Sequence, residues 1–293
     1  VESQREPVSF ELKQHIRNKW MQSQTLANID GKNEPQLFFP QSFSLQRKLS
    51  LVSAVTEEIE TNPRPWSGDY WATFKGGIGS RYNDPDYPQS WNFMDNYNAY
   101  LKFSELNYTD QVKLNNLSPA EKYDILMGDE RFSLTKWSFE SALETYKANN
   151  NDIEPWFGIC HGWAPAALIL PLPDQVISYP IKNFQGHDFV LNFYPDDLKA
   201  LGSLMWANAR FKTYFLGGRC NVKEPQQDEN GRIIDPDCFD LNPGSWHLAA
   251  IQQMKNNKAG FVFDASFDYE VWNQPVLRIS WKFFNPQTLA END

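Results

Sequence analysis

The sequence predicts an α+β protein, and the order of its patterns along the chain predicts that class. Apolar residues at helical spacing fill much of the first half, as in the stretch from Thr135 to Ala148. A turn rich in glycine and aromatic residues then carries Cys160 into a short helix, and strand patterns dominate the chain after residue 245. Helices followed by strands favour segregated elements over alternating βαβ units.

Local signals place the elements of the first half. Apolar stripes predict three helices, over residues 8–26, 45–59 and 135–148. Ser118, Pro119 and Glu121 form a capping-box pattern, which predicts that another helix begins there. Residues 63–91 are rich in glycine, proline and aromatic rings, and they predict a long ordered loop.

The elements predicted after Cys160 are shorter. The helix that Cys160 opens is expected to stop before Pro171, and Pro165 is tolerated there because first-turn amides lack intrahelical partners. Period-two alternation predicts a strand over residues 187–194, and Pro195 begins another helix. The remaining strands are predicted over residues 246–252, 260–264 and 269–284.

Charge and hydropathy argue against two classes of partner. The formal net charge is −10, whereas nucleic acids and anionic membranes require clustered Lys and Arg. The longest apolar run, residues 163–172, contains two prolines and is shorter than the roughly 20 residues of a membrane span. The chain begins with Val1 rather than Met, which is typical of a processed, secreted product.

The three cysteines divide into a pair and a single thiol. Cys220 and Cys238 flank a polar segment without periodicity, and a disulfide closing that loop would stabilise the fold by about 3 kcal/mol. Cys160 then remains free. One disulfide with one free thiol is the pattern of an exported cysteine enzyme.

Cys160 is the candidate nucleophile. The stretch from Glu154 to Ala164 carries it through a turn containing Gly158 and Gly162 to the start of a helix. Unpaired amides and the helix dipole stabilise a thiolate at such a position. An inert buried cysteine is the alternative, because free cysteines are often core residues.

Among the four histidines, His247 is the favoured general base. His15 is placed on an early helix and His187 at the start of a strand, where surface or structural roles are expected. His161 is adjacent to the nucleophile, and neighbouring side chains on a helix point about 100° apart. His247 remains, at the beginning of a predicted strand far downstream.

Hairpin geometry supplies a carboxylate to orient His247. If residues 246–252 and 260–264 pair as antiparallel strands, His247 lies opposite Asp264, with Cβ atoms about 4.5–5.5 Å apart. A one-residue slip would turn Asp264 to the other face. Asp268 is the alternative orienter, and a turn carboxylate is the structural alternative for Asp264.

Further groups complete the predicted site. The backbone N–H of Cys160 is the first donor to an oxyanion, and the indole N–H of Trp156 is the candidate for the second. The other tryptophans that are candidates for the cleft wall, each with core packing as the alternative, are Trp66, Trp71, Trp163 and Trp246.

Several stretches resemble the transglutaminase elicitor family of oomycete plant pathogens and related marine bacteria. The most specific stretch, Val271 to Val276 (VWNQPV), is similar to the start of the surface peptide by which plants detect those enzymes. After Val276 the sequence departs from that peptide. Weaker similarities lie within residues 65–71, 118–124 and 158–164.

The resemblance implies a secreted, calcium-stimulated transglutaminase with a papain-like catalytic core and no organic cofactor. Its active-site cysteine corresponds to Cys160, and His247 and Asp264 follow by chain order. No calcium motif maps onto the sequence. Four oxygen-bearing residues lack EF-hand spacing and are interpreted as a solvated loop: Asp228, Asn230, Asp235 and Asp237.

Under this interpretation residues 1–60 form a helical N-terminal region, which would act as the prosegment of a zymogen, and residues 61–293 form the catalytic domain. The expected partners are proteins or peptides carrying glutamine and lysine. Cys160 would attack a glutamine amide, and an amine would resolve the thioester. Two alternatives stay open: a cysteine peptidase, amidase or protein deamidase with the same three residues, and a non-catalytic secreted binding or toxin-like module.

Overall fold

A computed structural model describes residues 56–103, 110–182, 186–210, 213–239, 241–266 and 268–282. These residues divide into two compact units. The smaller unit comprises residues 56–62, 213–261 and 276–282, and the helical unit comprises those between 63 and 210 together with 262–275. The predicted helix over residues 8–26, most of that over 45–59, and His15 lie outside the described residues.

The helices and strands are numbered in chain order. The smaller unit contains β1 (Thr56–Glu60), α7 (Pro243–Ile251) with a π-helical turn after it (Gln252–Asn256), and β6 (Arg278–Lys282). The helical unit contains α1 (Phe93–Phe103), α2 (Gln111–Asn115), α3 (Pro119–Leu126), α4 (Ser133–Ala148), α5 (Cys160–Ile169), β2 (Ile177–Lys182), β3 (Asp188–Phe193), α6 (Pro195–Asn208), β4 (Val262–Asp264) and β5 (Asn273–Pro275).

The strands of the described ranges pair two by two. All three sheets are antiparallel and two-stranded, joining β1 to β6, β2 to β3 and β4 to β5. A mixture of helices and antiparallel strands confirms the predicted class at that level. The papain-like core, with one antiparallel sheet beneath the nucleophile helix, is not confirmed, because α5 packs instead against α6 and the short strand β5.

Local signals predicted several elements correctly. Ser118 Oγ accepts from the Glu121 N–H at 3.1 Å, and the Ser118 N–H donates to Glu121 Oε2 at 2.8 Å, which completes the capping box at the start of α3. Helices α4, α5 and α6 and strand β3 also lie where the patterns placed them. None of the helices in the described ranges is both long and apolar enough to cross a membrane.

One helix prediction is wrong at its end. Residues 56–59, the last of the helix predicted over 45–59, belong to β1. Ile59 pairs with Ile279 of β6, and the two pack into a small core with Ala250 and Met254. Pairing with a distant strand therefore decides the local structure there, against the helical spacing of the sequence.

The loop over residues 63–91 is irregular apart from two short 3₁₀ turns, as predicted. Its anchor is Arg81, whose buried guanidinium donates to both carboxylate oxygens of Glu121, with Nε 2.8 Å from Oε2. The same carboxylate forms the capping box of α3, so one buried ion pair fixes both the loop and the helix.

A second buried ion pair joins α3 to the start of α6. Lys122 Nζ donates to Asp197 Oδ2 at 2.6 Å, and both side chains are excluded from solvent. The Tyr82 hydroxyl and the Tyr194 N–H donate to the same carboxylate, at 3.1 and 2.8 Å. Burial lowers the pKa of Lys122 and raises the pKa of Asp197. Each charge therefore depends on the other for compensation.

Replacing Lys122 by methionine (Lys122→Met) is expected to lower the free energy of unfolding by about 3–5 kcal/mol, because Asp197 is left buried without its cation. The matched control is Lys136→Met. Lys136 forms an exposed pair with Glu140 at 3.5 Å, and its loss should cost less than about 1 kcal/mol. Urea unfolding followed by tryptophan fluorescence measures both. Equal losses in the two variants would contradict the role given to the buried pair.

Candidate active site

A close backbone contact delivers Cys160 to the start of α5. The Ile159 N–H donates to the carbonyl of Tyr70 at 2.7 Å. A Cβ at position 158 would lie 2.4 Å from the same carbonyl oxygen, a distance that no side chain tolerates. Gly158 is therefore required for the approach that positions the cysteine.

Gly162, two residues after Cys160, lets α5 pack closely on α6. A Cβ on Gly162 would lie 2.2 Å from the carbonyl oxygen of Ser203 and 2.6 Å from the Cβ of Ala207. Both glycines that flank Cys160 are thus needed for close packing, and the cysteine between them has little freedom to move.

Cys160 is the first residue of α5, as predicted. Amides of a first helical turn have no intrahelical acceptor, so the Cys160 N–H and the helix dipole favour negative charge at this point. The explanation offered for Pro165 is wrong. It is the sixth residue of the helix, beyond the first turn, and because it has no N–H it cannot make the α-helical bond to the His161 carbonyl.

The sulfur of Cys160 contacts a segment far downstream. Its thiol donates to the carbonyl of Val271 at 3.5 Å, and Asn273 Nδ2 donates to the sulfur at 3.5 Å. Cys160 is 5% exposed and packs with Trp66 and Trp163. The thiol therefore lies between an aromatic core on one side and the polar groups of residues 271–273 on the other.

Asp264 shapes the hairpin that carries Asn273. Its Oδ1 accepts from the Ser266 N–H at 3.2 Å, the Ser266 hydroxyl at 2.9 Å and the Trp272 N–H at 2.9 Å. The Ala265 N–H also donates to the Trp272 carbonyl at 3.1 Å. These bonds close the loop between β4 and β5, and they set where Asn273 leaves it.

A carboxylate on the nucleophile loop holds the same hairpin from outside. Glu154 Oε2 accepts from the Tyr269 hydroxyl at 2.7 Å and from the Trp156 indole N–H at 2.6 Å. The Tyr269 ring also meets Trp156 edge-on, with centroids 6.1 Å apart. The indole N–H that the sequence offers as an oxyanion donor is engaged by Glu154, so the geometry does not support that role for Trp156.

The other tryptophans predicted for the cleft wall are packed in cores. Trp163 is 7% exposed and touches the Cys160 cluster from inside the fold. Trp66 lies in the same cluster and donates its indole N–H to the Leu170 carbonyl at 3.1 Å. Trp71 packs in a neighbouring core of the helical unit, and Trp246 packs in the core of the smaller unit.

His247 lies on helix α7, so the strand predicted over residues 246–252 is wrong. Asn242 Oδ1 accepts from the N–H groups of Gly244 and Ser245, at 2.9 and 3.2 Å, and caps this helix. The Asn-Pro-Gly start is a helix signal, but the apolar run after it is equally compatible with a strand.

The surroundings of His247 affect its protonation. Its ring meets Trp281 edge-on, with centroids 5.1 Å apart. Burial lowers its pKa below the ordinary value for histidine. The imidazole is therefore neutral at neutral pH, which is the form that a general base requires. The side chains of His161 and His187, the other described histidines, are exposed.

The predicted hairpin between His247 and Asp264 does not form. Asp264 pairs with Asn273 in the β4–β5 ladder, because residue 247 is helical and cannot offer a strand partner. Cys160 and Asp264 belong to the helical unit, and His247 belongs to the smaller unit. Asp268, the alternative orienter, caps its own turn by accepting from the Glu270 N–H at 3.0 Å.

The predicted division of the cysteines is confirmed. Cys220 and Cys238 form a disulfide, and Cys160 is a free thiol. The disulfide closes a loop in the smaller unit, whereas the free thiol lies in the helical unit.

The described residues bring together no group of three or more His, Cys, Asp or Glu side chains able to hold a metal ion. In the disulfide loop, Asp228 accepts from the N–H groups of Asn230 and Arg232 and from the Arg232 side chain, all at 2.9 Å. These bonds lower the pKa of Asp228. Asp235 accepts from the Asp237 N–H at 3.1 Å, so two of the loop carboxylates cap turns.

Comparison with known proteins gives the family. The model of the transglutaminase elicitor family matches residues 38–292, so the chain belongs to that family. The fold is similar to that of the GP42 transglutaminase from Phytophthora sojae, with a TM-score of 0.51 at 21% sequence identity, over 86% of this chain and 62% of that chain. The protein thus spans about 62% of the length of GP42. No curated protein matches the chain.

The sequence did not identify Asn273 as a site residue. It lies in the VWNQPV string that carries the family resemblance, but nothing local in that string says what its side chains touch. Only the β4–β5 register, with Asn273 opposite Asp264, and the packing of β5 on α5 bring it to Cys160. Those are long-range features, and no periodicity encodes them.

Replacing Gly162 by alanine (Gly162→Ala) is expected to destabilise the protein by about 1–3 kcal/mol, because the new methyl group overlaps the backbone of α6. Gly202→Ala is the matched control, since a Cβ there meets only the flexible end of Leu170 at 3.0 Å. Alanine within α6 should be neutral or stabilise by up to about 1 kcal/mol. Thermal unfolding compares the two. A Gly162→Ala variant as stable as Gly202→Ala would refute the packing argument.

Proposed function

We propose that the protein is a protein-glutamine γ-glutamyltransferase that links glutamine side chains to primary amines through a cysteine thioester. One observation carries the proposal: in a member of the transglutaminase elicitor family, a free cysteine begins a helix and its sulfur accepts a hydrogen bond from Asn273. A buried structural cysteine has no need of a polar side chain directed at its sulfur.

In the first step neutral His247 takes the proton of the Cys160 thiol, and the resulting thiolate attacks the carbonyl carbon of a glutamine side-chain amide. A carbon–sulfur bond forms, and the carbonyl electrons move to oxygen. The C–N bond then breaks, His247 gives a proton to the departing nitrogen, and ammonia leaves. The acyl group remains on Cys160 as a thioester.

In the second step a lysine amine attacks the thioester carbonyl. The new C–N bond forms, the C–S bond breaks, and the proton lost by the amine passes to the base, which restores the thiolate and the protonated imidazole. Water can take the place of the amine and give glutamate. Exclusion of water by the packed surroundings of Cys160 favours the amine.

The proposed roles of His247 and Asp264 rest on chemistry and chain order. The lowered pKa of His247 suits a base that must be neutral before the reaction, a property that it shares with His161. The triad of Cys160, His247 and Asp264 is thus part of the proposal.

The environment of the protein is part of the same proposal. The Cys220–Cys238 disulfide supports a secreted protein, because disulfides persist in oxidising compartments. Calcium stimulation and a prosegment within residues 1–60 are proposed from the family resemblance. An amine-incorporation assay with and without a calcium chelator, and before and after limited proteolysis, tests both.

Replacing Cys160 by alanine (Cys160→Ala) is expected to abolish incorporation of a fluorescent primary amine into a glutamine-rich protein, because no thioester forms. The melting temperature should stay within a few degrees of the wild type, since the change removes a single buried sulfur. Cys160→Ser is the isosteric control and should also be inactive. Undiminished labelling by either variant would exclude Cys160 as the nucleophile.

The same assay separates the alternatives. A peptidase would fragment the acceptor protein, and a deamidase would convert glutamine to glutamate without labelling. A non-catalytic module would do neither. Only amine labelling that depends on Cys160 agrees with the proposed transferase.

Replacing His247 by asparagine (His247→Asn) is expected to lower kcat/KM by about 10²–10⁴-fold, the usual contribution of a general base. His161→Asn is the control, because the exposed imidazole has no role in the proposal, and it should change kcat/KM less than threefold. A lowered pKa keeps His247 neutral as the pH falls. In a plot of wild-type kcat/KM against pH, the loss of activity on the acidic side should therefore lie below about pH 6.5. Wild-type activity in His247→Asn would remove it from the mechanism.

A further inference from the structure

Attack on an amide carbonyl creates a negative oxygen that needs hydrogen-bond donors. In the tetrahedral intermediate this oxygen is bonded to the carbon that the sulfur has attacked, so it lies about 3 Å from the sulfur. Donors that stabilise it must therefore be close to the sulfur itself and must be in place before the reaction. Any group that meets this requirement has to be found among the contacts of Cys160.

Asn273 provides a donor at the required position. Its Nδ2 lies 3.5 Å from the sulfur of Cys160. A donor at this distance from the sulfur lies within hydrogen-bond reach of an oxygen placed beside it. When the thiolate attacks, the negative charge passes from the sulfur to the carbonyl oxygen. The Asn273 N–H then forms a stronger hydrogen bond to that oxygen than to the sulfur.

The other donor is the backbone N–H of Cys160. As the first residue of α5, its amide has no intrahelical acceptor. A backbone amide and a side-chain amide would then approach the oxygen from two elements, α5 and β5, which pack against each other. Two such donors are a common composition of oxyanion holes.

The other polar groups near the sulfur do not meet the requirement. The Val271 carbonyl accepts from the thiol, and an acceptor repels a negative oxygen. The Trp156 N–H donates to Glu154 at 2.6 Å, a charge-assisted bond that is costly to break. The Trp163 indole N–H faces Gly68, where a Cβ would lie 2.5 Å from its Nε1. Among the described residues, Asn273 is the side chain that donates to the sulfur.

The hairpin holds Asn273 in place before any substrate binds. Asn273 pairs with Asp264 in the β4–β5 ladder, and Asp264 also accepts from the N–H of the preceding residue, Trp272, at 2.9 Å. The Trp272 ring meets Tyr70 edge-on, with centroids 5.0 Å apart. Tyr70 is the residue whose carbonyl fixes the nucleophile loop. One residue thus ties the positions of Cys160 and Asn273 together.

We infer that Asn273 is a catalytic residue, the side-chain donor of the oxyanion hole formed with the Cys160 N–H. The inference rests on the proposed function, because it requires Cys160 to attack a carbonyl group. The VWNQPV segment thereby has a catalytic role, and Asn273 takes the place of Trp156 as the side-chain donor.

The test compares two reactions of the same thiol. Acylation by 4-nitrophenyl acetate forms a carbon–sulfur bond at the carbonyl, passes through an oxyanion and releases 4-nitrophenolate. Alkylation by iodoacetamide forms a carbon–sulfur bond at the methylene group and releases iodide, with no oxyanion. Only the first reaction requires the hole, and neither requires glutamine, lysine or calcium.

The variant is Asn273→Leu, which keeps the shape of the side chain and removes its donor. The matched control is Gln274→Leu, because adjacent strand residues point to opposite faces. Asn273→Ala serves as a second variant if leucine prevents folding, and Cys160→Ala measures the background. Acylation by Asn273→Leu should fall about 10²–10³-fold, the usual effect of losing one donor, while its alkylation and both reactions of Gln274→Leu change less than threefold.

The outcomes separate this inference from the proposed function. Acylation by Asn273→Leu at the wild-type rate, or equal losses of acylation and alkylation, would overturn the inference and leave Cys160 as nucleophile. A wild-type protein that is alkylated but never acylated above the Cys160→Ala background would overturn the proposed function, and the inference with it.

Discussion

The chemistry proposed here depends on one contact between elements far apart in sequence. The start of α5 meets the β4–β5 hairpin at the sulfur of Cys160, where Val271 accepts and Asn273 donates. Two constraints make the contact possible. Gly158 allows the loop before Cys160 to pass against the Tyr70 backbone, and the Asp264 carboxylate closes the hairpin. Without either constraint, the sulfur of Cys160 and the side-chain amide of Asn273 would no longer be in contact.

The glycines and carboxylates near Cys160 hold the backbone and the β4–β5 hairpin in place, and the proposed chemistry depends on that placement. Glu154 accepts from Tyr269 and Trp156, so an acid that looks catalytic by its position fixes the hairpin instead. Asp264 is held in a similar way by its own loop. A site built on such supports is preorganised, which is what stabilisation of a developing charge requires. The cost is a lack of tolerance at Gly158 and Gly162, where a side chain would overlap neighbouring backbone.

Sequence predicted those parts of the fold that neighbouring residues determine. The capping box at Ser118, the helix start at Cys160 and the disulfide follow from signals within a few residues or from cysteine chemistry. The sequence predicts a strand where helix α7 lies, because the apolar run of that helix has no clear period and fits either structure. The hairpin that would place Asp264 opposite His247 therefore does not form. Asn273 could not be predicted, since it reaches the sulfur only through the register of a two-stranded sheet.

The central claim is that the sulfur of Cys160 carries the acyl group during turnover, and direct detection of the intermediate tests it best. The protein is mixed with a glutamine-containing peptide in the absence of amine, quenched in acid within milliseconds to seconds, digested and examined by mass spectrometry. We expect the peptide, less one ammonia, to be attached to Cys160 and to disappear when an amine is added before the quench. Turnover of the peptide with Cys160 always unmodified, or with the adduct on another residue, would contradict it.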